Sequence, residues 1–200
     1  ESLGRVTDFC LGESHTCALR DNGEVFCFGK NNLGQLGMGR NDLQTQPQQS
    51  LLPEGARAVF CGQHHSCALM ANDNVMCWGW NSRGQLGDPN SGNAHMVWPV
   101  SVHGIGAATS VHLGSEHSCV LERAGTVKCW GRGDSGQLGD GTRTGTSRTA
   151  RTVDGLTDVV SLAAGNHHTC AVDLAGVTRC WGYNNYGQLG DATTSLRNRP

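Results

Sequence analysis

A histidine, one residue, a cysteine, nine residues, a second cysteine, an aromatic residue and a glycine recur four times along this 200-residue chain. The copies start at His15, His65, His117 and His168, so successive starts lie 50, 52 and 51 residues apart. Each copy is followed by Gly-Gln-Leu-Gly, beginning at Gly34, Gly84, Gly136 and Gly187. A fixed period near 50 residues marks a repeat architecture, in which each unit buries its apolar face against its neighbours. Residues 1–200 therefore read as one array, with units of approximately 1–50, 51–103, 104–154 and 155–200.

Within a unit the pattern is that of strands. In the fourth, the run from Asp158 to Gly165 is short and apolar. His168 to Val172 and Val177 to Gly182 are strand-length runs joined by a turn that ends on Gly176, the pattern of a hairpin. After Gly-Gln-Leu-Gly a polar loop leads to a proline and a fourth short stretch, from Pro47 in the first unit and over Trp98-Pro99-Val100-Ser101-Val102 in the second. Proline suits the first residue of an edge strand because it has no N–H to give a ladder. No segment keeps a 3.6-residue apolar period, so helix should be minor. The expected fold is all-β: propeller blades of four antiparallel strands, A to D in chain order. The recurring aromatics Phe28, Trp78, Trp130 and Trp181 are expected to pack between blades.

Ten cysteines are present, and eight form pairs of identical spacing: Cys17 and Cys27, Cys67 and Cys77, Cys119 and Cys129, Cys170 and Cys180. The turn Asp21-Asn22-Gly23 lies midway between the first two, which places them opposite each other on strands B and C. Opposed Cβ atoms lie about 4.5–5.5 Å apart, and a small local twist brings them within disulfide range. Zinc is the competing reading, because each histidine shares a strand face with the first cysteine. Two cysteines opposed in a rigid hairpin splay poorly around a tetrahedral ion, and a fourth ligand is not evident in every unit. Free core thiols are the remaining alternative. We expect disulfides, and with them an oxidising compartment. Cys10 and Cys61 both end an A strand, two residues before Gly12 and one before Gly62 respectively. That opposite parity points them to opposite sheet faces, which are the facing surfaces of neighbouring blades, so a bridge between the first two blades is expected.

Gly-x-x-His-Ser/Thr-Cys-Ala-Leu, the glycine turn, Cys-Trp-Gly-x-Asn and Gly-Gln-Leu-Gly together resemble the regulator of chromosome condensation repeat, over essentially the whole chain. The third unit departs from it with Arg132-Gly133 where Lys-Asn, Trp-Asn or Tyr-Asn stands elsewhere. The resemblance implies a seven-bladed propeller, of which four units are a part, so that the chain is expected to be a window on a longer polypeptide or to be completed by a neighbouring chain. It also implies that the repeated histidine is a packing residue bonded to backbone. Members of the family include exchange factors for small GTPases, a secreted bacterial inhibitor, plant light sensors and extracellular proteins, so the fold alone does not choose a function.

Composition removes several classes. Net charge is −2, Lys30 and Lys128 are the only lysines, and the arginines are scattered, which argues against tight phosphate binding and hence against nucleic acid. No apolar run approaches the roughly 18 residues of a membrane helix. No serine-hydrolase elbow or zinc-protease motif occurs, and no cofactor, metal site or catalysis is expected. Strand order places A–B turns and C–D loops on one face. The longer loops, 30–46, 80–98, 132–148 and 183–199, lie there, with the A–B pairs Glu13-Ser14, Gln63-His64, Ser115-Glu116 and Asn166-His167 near the axis. These pairs differ while their surroundings repeat, so this face is the candidate for a protein partner. His95, Met96 and Trp98, at the end of the longest loop, join it as possible anchors. The reading is an extracellular protein-binding module. A structural subunit of an extracellular assembly is the alternative. A GTPase exchange factor, by family analogy, stands third and is disfavoured by the expected bridges.

Overall fold

The computed structural model describes residues 3–200, and these contain no helix. The first sheet holds β1 (Val6–Leu11), β2 (His15–Arg20), β3 (Val25–Gly29) and β4 (Gln44–Gln49). The second holds β5 (Ala56–Cys61), β6 (His65–Met70), β7 (Val75–Gly79) and β8 (Met96–Ser101). The third holds β9 (Ala108–Leu113), β10 (His117–Glu122), β11 (Val127–Arg132) and β12 (Thr146–Thr152), and the fourth β13 (Val159–Ala164), β14 (His168–Asp173) and β15 (Thr178–Gly182). Every sheet is an antiparallel meander in chain order. The first strands β1, β5, β9 and β13 neighbour one another in space, so they line the axis and the later strands step outward.

Burial follows from that stacking. All six residues of β6 and all six of β10 are buried, because a blade lies on either side of each. In β14 only alternate positions are buried, since no further described blade covers its second face. The core is divided into layers between blades. Cys17, Leu19, Val25, Cys27 and Leu36 of the first blade meet Ala56, Val59, Ala68, Met70 and Trp78 of the second, and two like layers follow. The hairpin turns demand a left-handed residue, supplied by Gly23 at φ 86° and, in the second blade, by Asp73 at φ 67°.

The fourth strands begin earlier than their prolines. Pro47 lies inside β4 and Pro99 inside β8. In each case one residue of the inner strand, Phe28 or Trp78, opposes three of the outer, and the proline closes that bulge. A bulge on an edge strand asks for no ladder N–H, so proline is accommodated there rather than at the strand start. The fourth unit makes the same beginning: Gly182 bridges Arg197, three residues before Pro200. Loops therefore end sooner than expected, and Met96 and Trp98 stand on the outermost strand of their blade.

Candidate partner-binding face

The invariant part of each repeat builds a clasp between blades. His15 Nε2 lies 2.8 Å from Ser66 Oγ of the next blade, His65 Nε2 2.9 Å from Ser118 Oγ, and His117 Nε2 3.0 Å from Thr169 Oγ1. Ser66 donates its own proton to the Gln35 carbonyl at 3.0 Å, so the histidine nitrogen facing it carries the hydrogen. The same carbonyl accepts the Trp78 indole N–H at 2.9 Å. Gln85 serves Ser118 and Trp130 in the same way, both at 2.8 Å, and Gln137 accepts from Trp181 at 2.9 Å. The glutamine of Gly-Gln-Leu-Gly is thus an acceptor for the following blade, while its leucine, Leu36, Leu86 or Leu138, fills the layer between. The histidines bond a neighbouring hydroxyl, not backbone as the family resemblance implied, because the blade-to-blade approach sets that hydroxyl against the ring. Burial, reinforced by neighbouring histidines, lowers His65 and His117 to about 3, and burial with His64 nearby lowers His15 to about 4. These rings are neutral and structural.

All ten cysteines are bridged. The hairpin pairs Cys17–Cys27, Cys67–Cys77, Cys119–Cys129 and Cys170–Cys180 sit directly opposite in register, and Cys10–Cys61 joins the first blade to the second. The bridges use the sulfurs that a zinc site would need, and the histidines turn to hydroxyls instead.

On the loop face the A–B pairs divide into two roles. Glu13, Gln63, Ser115 and Asn166 line an open axial hollow of about 390 Å³, with the four glycines that precede them. Ser115 is buried there. Their followers Ser14, His64, Glu116 and His167 turn outward to the residue that follows the glycine near the end of each C strand. In every blade that residue donates its N–H to the follower's carbonyl: Lys30 to Ser14, Trp80 to His64, Arg132 to Glu116 and Tyr183 to His167, at 2.8–3.0 Å. The side chains pair as well. His64 meets Trp80 edge-on at 5.5 Å between ring centroids, and His167 meets Tyr183 at 6.3 Å, with Tyr186 beyond it. Arg132 bonds Glu116 and, at 2.7 Å, Asp134. His64 also reaches Glu13 of the first blade at 3.1 Å.

Lys30, Trp80, Arg132 and Tyr183 were not among the residues expected to bind a partner, although the signal was present: they vary immediately after a repeated cysteine-aromatic-glycine triplet. His95 is exposed at its loop end. Met96 and Trp98 do not join this axial group, because β8 carries them to the rim. Trp98 is half exposed there, lying over Gly39 of the first blade. Gly133, standing where the other blades have Asn31, Asn81 and Asn184, lacks the side chain by which those asparagines accept the N–H of the loop leucine. At Gly133 a β-carbon would lie 2.5 Å from the Thr144 carbonyl oxygen, so this loop closes more tightly.

A family model described as the RCC1-like domain matches residues 1–200. The human E3 ubiquitin-protein ligase HERC2 is 32% identical over 202 residues, which cover 98% of this chain and 4% of HERC2. Among solved structures, human WBSCR16 is 25% identical with a TM-score of 0.88, over 100% of this chain and 53% of that one. Prp20p from Saccharomyces cerevisiae, whose structure was described with its binding to Gsp1p and histones, superimposes with a TM-score of 0.89 at 22% identity, over 100% of this chain and 50% of Prp20p. The chain spans about half the length of these two solved proteins and a small part of the ligase.

Proposed function

This chain belongs to the RCC1-like domain family, and from that membership we propose that it is a non-catalytic protein-binding module. In this reading the loop face is the binding surface, the bridged blades are its rigid support, and the compartment is extracellular. One observation carries it: four residue pairs of different chemistry, Ser14 with Lys30, His64 with Trp80, Glu116 with Arg132 and His167 with Tyr183, occupy one structural position in four blades joined by three nearly identical clasps. Packing demands the clasp and leaves these pairs free to vary, so their chemistry is available for recognition. The Prp20p likeness supports a protein as the partner class, given the binding to Gsp1p and histones described for that protein. Five bridges support an oxidising compartment. The buried histidine–hydroxyl pairs support a non-catalytic role, since both groups are committed to joining blades.

The test is a photo-crosslinking residue placed at Trp80, at Tyr186 or, as a control, at Asn72 on the opposite face. A specific adduct from Trp80 and Tyr186 and none from Asn72 is the expected result. Adducts from Asn72 alone would overturn the proposal. A structural subunit of an extracellular assembly is the second reading, favoured by Leu174 and Val177, which leave the fourth blade 78% and 45% exposed. Sedimentation separates the two readings, since concentration-dependent growth beyond a small complex belongs to the assembly.

A further inference from the structure

The first blade differs from the other three in one row of its sheet. Cys10 on β1, Cys17 on β2 and Cys27 on β3 are directly opposed in register, so they share a face. The equivalent rows are Phe60, Cys67 and Cys77, then His112, Cys119 and Cys129, then Ala163, Cys170 and Cys180. Only the first row holds three cysteines. Across the layer stands Cys61, and the sulfurs of Cys10, Cys17 and Cys61 all lie within 4.8 Å of one another. Two disulfides are therefore stacked side by side, one within a blade and one between blades.

They differ in access. Cys17 and Cys27 are fully buried, as are the four cysteines of the second and third hairpins. Cys10 and Cys61 are half-buried. Cys61 lines the axial hollow on the loop face, and both line a second hollow of about 430 Å³ along the first strands. Cys170 and Cys180 are also half-buried, but Ala163 offers them no third sulfur.

We propose that Cys10–Cys61 is a site of thiol–disulfide exchange with low-molecular-weight thiols, and that Cys17–Cys27 is its internal relay. A thiolate entering the hollow attacks Cys61 Sγ. The Cys10–Cys61 bond breaks, the thiol is held on Cys61 as a mixed disulfide, and Cys10 leaves as a thiolate. Exchange of this kind proceeds through in-line attack on sulfur. The register sets Cys10 and Cys27 on opposite sides of Cys17, so Cys10 is the nucleophile and Cys27 the leaving group. A Cys10–Cys17 bond forms, Cys17–Cys27 breaks, and Cys27 takes up a proton as a free thiol. A second small thiol then displaces Cys61 from the mixed disulfide. Two small thiols have been oxidised to one disulfide, and one protein disulfide has been reduced. The covalent tie between the first two blades is exchanged for a bond inside the first.

The experiment treats the native chain with limiting glutathione, quenches with an alkylating reagent and maps the peptides without further reduction. The expected result is a Cys10–Cys17 linked peptide with label on Cys27 and Cys61, while Cys67, Cys77, Cys119 and Cys129 stay unlabelled. Label confined to Cys10 and Cys61, with Cys17–Cys27 intact, would overturn the relay. Label on the buried hairpins as early as on Cys61 would overturn the site. Cys61→Ser frees Cys10 without any reductant, and the label is then expected on Cys27. Retention of Cys17–Cys27 with label on Cys10 refutes the proposal. If that variant does not fold, the glutathione series on the native chain decides alone.

Discussion

Mild acid should unfold this protein through its interior. His15, His65 and His117 must stay neutral to remain between blades, with values lowered by burial to about 4, 3 and 3. In the unfolded chain each takes up a proton near pH 6.5. Folded values below unfolded ones mean that the contribution is complete above about pH 6.5 and is lost as pH falls from there toward about 4. Each histidine costs about 1.4 kcal/mol per pH unit in that window, so three give a slope of about 4 kcal/mol per unit. At about pH 5 the loss reaches roughly 6 kcal/mol, comparable to the whole stability of an ordinary domain. Carboxylates titrate mostly below this window, near about pH 4, which keeps the histidine signal separate. The assay is urea unfolding followed by tryptophan fluorescence, in steps from about pH 7.5 to about pH 5, with reduction excluded. His117→Gln should remove about a third of the slope even as it lowers stability at neutral pH. A free energy that changes by less than about 1 kcal/mol between pH 6.5 and pH 5 would refute the reasoning, because the rings would then be protonating inside the fold.

Other perturbations test separate contacts. Gly62→Ala sets a β-carbon 2.4 Å from His65 Cε1 and 2.7 Å from the Gly114 carbonyl oxygen, so it should lower stability measurably in the same urea titration. That loss is expected at about 3 kcal/mol. Gly145→Ala meets nothing within 4 Å and should leave the urea midpoint unchanged. Trp130→Phe takes away the N–H given to Gln85, and should cost about 1–2 kcal/mol. Combined with Ser118→Ala it should cost more than the sum of the single changes, since the Gln85 carbonyl then loses both donors. Replacing both Cys119 and Cys129 by alanine opens a loop of separation 10 and should lower stability in urea. The chain-entropy limit is about 2.5–3 kcal/mol, reduced because a tight hairpin is partly formed when unfolded. Trp80→Ala should weaken partner binding while shifting the thermal midpoint little, since the ring is only partly buried.

The amino-acid order by itself determined the repeat, the hairpins and the partner of each hairpin cysteine. Those features are local: nine residues between cysteines and a left-handed turn midway leave a single register. Parity along the strand carried the inference as far as Cys10 facing Cys61. Variation between repeats marked the A–B pairs, and the same variability could have marked Lys30, Trp80, Arg132 and Tyr183. Tertiary structure alone decided which hydrogen bonds cross between blades. Ser66 reaches His15 from 51 residues away, and Gln35 receives Trp78 across 43. Such contacts depend on the rotation of one sheet against the next, which no pattern within a repeat encodes. The same rotation sent Ser115 inward and its neighbour Glu116 outward, carried Trp98 to the rim, and set the sulfur of Cys17 beside a bridge belonging to two blades.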